Sequence, residues 1–292
     1  MAAFDPRVTP ARPDLAAKAL EGKVEAARYV EGHLREVIEP QAPLRAEPRP
    51  DAGLLTEALK GERVTIYDAN GEGWAWGQLA SDRYVGWLPE NALVAPGPEP
   101  THKVAALRTL AFPGPSIKMP PLEALPLGAR LAIARMEDRL AVTHAGAYVP
   151  AVHLAPLDTF ETDFVAVAER FVGTPYLWGG KTAFGLDCSG LVQVALTACG
   201  VSCPRDSDMQ EQAVGAAVTA DPSALTRGDL IFWKGHVAIV RDRHTLLHAN
   251  AYHMAVATEP LAGAIARIRA AGLEISSVRR LNSLPPEGSG LG

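Results

Sequence analysis

The sequence predicts an α+β multidomain protein, with small all-β barrels in its first half and an α+β domain in its second. Three observations carry this prediction. Of the 24 prolines, 18 lie before residue 157, so the first half can hold only short elements broken by turns. Within that half, "GERVTI" (61–66) followed by "YVGWLPENALVAP" (84–96) is echoed by "GARLAI" (128–133) followed by "YVPAVHLAP" (148–156). Short alternating runs at this density of turn residues read as small barrels, and the echo reads as an internal repeat. From Asp158 the pattern changes to helical periodicity first and strand-like runs afterwards, the order of an α+β domain.

Taken in order, residues 1–40 form an N-terminal extension with two readings open. Pro13-Asp14 can start a helix through "LAAKALEGKVEAARYVEGHLREV", which Gly22 and Gly32 interrupt, or the segment can run extended against the rest. The first barrel spans 41–98 and the second 99–157, joined at "PGPEPTHK" (96–103). The α+β domain spans 158–285, and 286–292 is a flexible tail. In "TDFVAVAERFVG" (162–173), Phe164, Val165, Ala168 and Phe171 share one helical face and Gly173 ends it. A turn-rich stretch leads to a second helix carrying Cys188, with Leu191, Val192, Ala195 and Leu196 inward and Gly200 as its stop. Strands follow at 227–233, 236–242, 245–253 and 275–281.

The totals restrict the function. A chain of 292 residues with 48% apolar and 21% charged residues is globular and too long for one core. A net charge of −5 gives no reason to expect nucleic acid or an anionic membrane as partner. No apolar run approaches the ~18 residues of a membrane span, and the N-terminus lacks the pattern of a signal peptide. Three cysteines, all between 188 and 203, make a poor disulfide framework and fit a reducing compartment, so a cytoplasmic location is expected. Their spacing is not a usual zinc pattern, and Cys199 and Cys203 read as buried structural thiols. No metal or organic cofactor is implied, and nothing specifies the oligomeric state.

Cys188 is different. It opens a helix between Asp187 and Ser189, where the N-terminal dipole favours the thiolate that attacks carbonyls. A thiol nucleophile also needs an imidazole. His236 and His248 lie twelve residues apart on strands joined by a short turn, so the fold can set them side by side. His236 would be the base and His248 the group that orients it, with Asn250 as the alternative third member.

The motifs "YLWGGKTAFGLDCSGLVQ", "GDLIFWKGHVAIV" and "LLHANAYHMAV" closely resemble, in content and order, the NlpC-type cysteine peptidases, a papain-like family that cuts bacterial cell-wall peptides. The resemblance covers about residues 158–285. It implies Cys188 as nucleophile, His236 as general base, His248 as orienting residue and Tyr176 as a stabiliser of the oxyanion, together with the backbone N–H at the cysteine. The two N-terminal barrels resemble bacterial SH3-like domains found ahead of this domain in one subgroup, the γ-D-glutamyl-L-diamino-acid endopeptidases (dipeptidyl-peptidase VI). That likeness implies hydrolysis of the bond between γ-D-glutamate and meso-diaminopimelate or lysine, in murein peptides with a free N-terminal L-alanine, as in cell-wall peptide recycling. It implies that Asp187 and Tyr84 hold the substrate ammonium, with Glu47 or Asp51 assisting, and that Ser189, Asp206 and Ser207 contact the rest of the peptide. A carboxylate next to the nucleophile is tolerable only if it points away from the sulfur toward a cation. The alternative is a wall-associated hydrolase acting on intact peptidoglycan, with the SH3-like pair as anchor.

Overall fold

The computed structural model describes residues 4–281, and the tail expected from 286 lies outside them. The chain divides into two compact units, Met1–Leu157 and Asp158–Gly292.

The first unit is built of strands. Its larger sheet has seven, in the order Leu54–Leu59, Gln41–Arg45, Val85–Pro89, Trp74–Leu79, Arg63–Ala69, His33–Val37, Leu93–Val94. All of its pairings are antiparallel. It closes on an apolar core that includes Val37, Leu44, Val64, Leu79, Tyr84 and Leu88. Residues 99–157 form smaller antiparallel sheets around Val104, Ala111, Leu125, Leu131 and Val149. The internal echo has a structural counterpart. Val85–Pro89, a 3₁₀ turn at Glu90–Ala92 and Leu93–Val94 are matched by Tyr148–Pro150, a 3₁₀ turn at Ala151–His153 and Leu154–Pro156.

The N-terminal segment takes the extended option. Ala16–Ala17 pairs in parallel with Tyr29–Val30, and only Lys18–Leu20 turns as a 3₁₀ helix. Leu15 is fully buried against Trp76 and Val85, so tertiary burial overrides the helix propensity of "LAAKAL". The last piece of the expected extension, His33–Val37, is itself a strand of the larger sheet.

The second unit carries four helices among its described residues: α1 (Phe164–Glu169), α2 (Cys188–Ala198), α3 (Ser207–Ala213) and α4 (Leu261–Ala270). They accompany a six-stranded antiparallel sheet. Its strands are β1 (Ala216–Val218), β2 (Leu230–Trp233), β3 (His236–Asp242), β4 (Thr245–Asn250), β5 (Ala255–Pro260) and β6 (Ile275–Arg280), in the spatial order β1-β6-β2-β3-β4-β5. Asp163 caps α1, its Oδ1 accepting from Val165 and Ala166 N–H at 2.9 and 3.1 Å. β2 and β6 are pinned by Asp229, which is fully buried and receives both Nε and Nη2 of Arg280 at 2.7 Å. α2 packs on α1, β3 and β4. Leu191, Ala195 and Leu196 are fully buried and Val192 nearly so, each large one contributing about 1.5–3 kcal/mol. This packing fixes the N-terminus of α2 over the strands that carry the two histidines.

Candidate active site

Cys188 is the first residue of α2 and is 6% exposed. The preceding Asp187 is its N-cap, with Oδ1 accepting from the Gly190 N–H at 2.7 Å and Oδ2 from the Gly179 N–H at 2.8 Å. Gly190 has to be glycine: a Cβ there would lie 2.4 Å from the Gly180 carbonyl oxygen. The small residue lets the loop before the nucleophile press against the helix.

Asp187 does face a cation, but that cation is part of the protein. Arg205, 1% exposed, donates from Nη1 to Oδ1 at 2.9 Å and from Nη2 to Oδ2 at 2.8 Å. The same guanidinium reaches Ser189 Oγ at 2.9 Å and the Gly180 carbonyl at 3.1 Å. Ser189 Oγ also donates to Asp187 Oδ1 at 3.2 Å. Both carboxylate oxygens and the Ser189 hydroxyl are thus engaged inside the fold. A paired guanidinium makes a buried carboxylate tolerable beside a thiol. Arg205 carries no signal of its own in the sequence, although its neighbours Asp206 and Ser207 are among the positions that the resemblance implies. Asp206 is the N-cap of α3 and Ser207 its first residue, both half-buried.

Opposite the nucleophile, the register that sets Ile239 against Leu247 puts His236 and His248 on one face as diagonal neighbours. His236 Nε2 and His248 Nδ1 are 2.9 Å apart. His248 is 1% exposed, and its Nε2 is 2.8 Å from Glu259 Oε1 on β5. Asn250 is turned to the following loop, where its Oδ1 meets the His253 N–H at 2.8 Å and its ring Nδ1 at 3.0 Å. The third place beside His236 belongs to His248.

Tyr176 bridges backbone to backbone with Leu186, and its N–H donates to the Met254 carbonyl at 2.9 Å. Burial raises the Tyr176 hydroxyl above its ordinary pKa, and the charges of Cys188 and Asp187 add to this. It stays a hydrogen-bond donor across the working range. Within the first unit, Tyr84 is 3% exposed and packs in the apolar core with Leu44, Leu79 and Leu88. Glu47 and Asp51 are exposed and share Arg49, at 3.1 and 2.8 Å.

Burial pushes the Cys188 thiol up to about 11, and Asp187 adds to the rise. The Val237 N–H, the Arg205 charge and the Ser189 N–H pull it back in part. Burial pushes His236 down to about 3, helped by the charges of His248 and Arg267. The resting pair is thus a thiol beside a neutral imidazole, and proton transfer accompanies attack. This arrangement predicts that alkylation of Cys188 by iodoacetamide quickens about tenfold per pH unit from 7 to 9. A plateau already reached at pH 7, read by mass spectrometry of the Cys188 peptide, would show a preformed ion pair instead.

Comparison with known proteins finds matches in both units of the chain. Residues 44–93 match the bacterial dipeptidyl-peptidase Sh3 domain, and residues 173–272 match the NlpC/P60 family. A γ-D-glutamyl-L-lysine dipeptidyl-peptidase of Bacillus cereus is 28% identical over 240 residues, 71% of each chain. One from Bacillus subtilis is 30% identical over 199 residues, 63% of this chain and 65% of the relative. The crystal structure of an NlpC/P60 family protein from Bacillus cereus superposes with a TM-score of 0.72 at 25% identity, covering 87% of this chain and all of that one. An SH3-like N-terminal domain precedes a papain-like NlpC/P60 domain, and by kind the chain is a cysteine peptidase.

Proposed function

We propose that this peptidase hydrolyses the amide between the γ-carbonyl of D-glutamate and the α-amine of the following L-diamino acid, lysine or meso-diaminopimelate, in short murein peptides. The observation that carries the mechanism is the 2.9 Å contact between His236 and His248 beside the N-terminus of α2. The names of the relatives, γ-D-glutamyl-L-lysine dipeptidyl-peptidases, support the choice of bond. They also support a free N-terminal L-alanine, since a dipeptidyl-peptidase counts two residues from an open end. Three cysteines, all buried and close together in the chain, support a reducing compartment and hence recycling of freed peptides in the cytoplasm.

In this reaction His236 takes the proton of the Cys188 thiol as the sulfur attacks the γ-carbonyl. The Tyr176 hydroxyl and the backbone N–H at Cys188 face the oxyanion that forms. Collapse of the intermediate breaks the C–N bond, and His236 returns its proton to the departing amine. Water, deprotonated by His236, then opens the thioester, releasing L-Ala-γ-D-Glu and restoring the thiol.

The test is mass spectrometry of L-Ala-γ-D-Glu-meso-diaminopimelate beside its N-acetylated form. Loss of the free peptide with the acetylated one intact is the expected result. Equal loss of both would remove the requirement for a free amine. Turnover of intact sacculi, with neither peptide touched, would favour a wall hydrolase.

A further inference from the structure

We infer that Glu259 is a positioning residue that sets the tautomers of both histidines and thereby leaves the base nitrogen of His236 open; this rests on His236 being the base. Glu259 lies on β5 opposite Leu246, while Ala257 lies opposite His248. Glu259 and His248 are therefore diagonal neighbours on one face, with Oε1 2.8 Å from His248 Nε2. A carboxylate only accepts hydrogen bonds, so His248 carries its proton on Nε2. A neutral imidazole has one such proton, so His248 Nδ1 is an acceptor. Its partner at 2.9 Å, His236 Nε2, must then be the donor. The remaining His236 nitrogen, Nδ1, keeps its lone pair for the thiol proton. Running the relay in the opposite direction would place the proton on His236 Nδ1 and leave no base.

Arg267, on α4, determines what replaces the carboxylate. Its Nη2 donates to the same Oε1, and its guanidinium stacks over Tyr252 at 4.3 Å. Arg267 only donates. With Glu259 gone, its positive charge, which already acts on His248, favours the inverted relay. An amide at 259 would present its oxygen to Arg267 at the same place and still accept from His248. The charged and titratable groups facing His248 are His236 on β3, Glu259 on β5, Arg267 on α4 and His253 from the loop after β4. Glu259 acts on the reaction only through this chain of rings.

The test uses the full-length protein with Glu259→Ala and Glu259→Gln, imidazole ¹⁵N NMR at pH 7 and steady-state kinetics. Wild type is expected to show Nε2–H on both His236 and His248. Glu259→Ala should lose that signature and roughly ten- to hundredfold in kcat at nearly constant KM. Glu259→Gln should keep the signature and most of kcat. Should Glu259→Ala fail to fold, Glu259→Ala/Arg267→Ala removes the donor with the acceptor, and mixed tautomers are expected. The inference is overturned if Glu259→Ala keeps Nε2–H on both rings, or if kcat falls in either variant while the tautomers stay as in wild type. The NMR readout needs no substrate, so an error in the choice of peptide leaves it intact.

Discussion

Cys188→Ala lowers kcat for the murein tripeptide by on the order of 10⁴- to 10⁶-fold, to the limit of detection. In the proposed reaction the Cys188 sulfur forms the acyl intermediate. What remains after its loss is binding and the oxyanion donors, which alone retain modest acceleration. The fold should survive, because alanine fits a helix N1 position and the Asp187 cap does not involve the sulfur. Circular dichroism and the thermal midpoint of Cys188→Ala should match wild type. Cys188→Ser should be nearly as inactive, since His236, pushed down to about 3, is too weak a base for a hydroxyl. Residual hydrolysis above one part in a hundred in Cys188→Ala would assign the nucleophile elsewhere.

Arg205→Met is the substitution expected to cost most in stability. Methionine approximates the volume but leaves the Asp187 carboxylate buried without its guanidinium, and breaking a buried pair in this way costs about 3–5 kcal/mol. The loss has a specific reporter. Cys199 and Cys203 lie in the second unit and are 1% and 5% exposed, so their reaction with a thiol reagent, read apart from that of Cys188, follows unfolding of that unit alone. In a urea titration, Arg205→Met should expose them at a clearly lower midpoint. Asp187→Asn/Arg205→Met should recover part of the loss, because no uncompensated charge remains. Arg205→Met alone should raise the Cys188 thiol further, because Arg205 opposes the effect of Asp187 on it. An unchanged midpoint would mean that the pair contributes nothing to the fold.

The parts of this site that were legible from sequence are those carried by local pattern. The apolar spacing of Leu191, Val192, Ala195 and Leu196 defines α2 and its inner face, and Gly200, at φ +75°, ends it. A separation of twelve across one short turn was enough to bring His236 to His248. The illegible parts depend on contacts between residues distant in the chain. Arg205 reaches Asp187 from beyond the far end of α2, eighteen residues along the chain, and a charge pair of that kind leaves no periodic trace. Glu259 stands on β5, whose "AVATEP" has weak strand character, and α4 follows it with Gly263 in its first turn. Tyr84 packs in the barrel core, a placement that its motif position alone did not specify. In the N-terminal segment, burial of Leu15 chose between two conformations that composition left equal.

The central claim is that Cys188 acts on the γ-carbonyl of D-glutamate. The most direct measurement is tandem mass spectrometry of the products formed from L-Ala-γ-D-Glu-meso-diaminopimelate in H₂¹⁸O by wild type and by Cys188→Ala. Wild type should yield L-Ala-γ-D-Glu with one ¹⁸O in the γ-carboxyl group and unlabelled diaminopimelate, and the variant should yield neither. Release of free L-alanine with the γ-bond intact, or labelled dipeptide from Cys188→Ala, would contradict it.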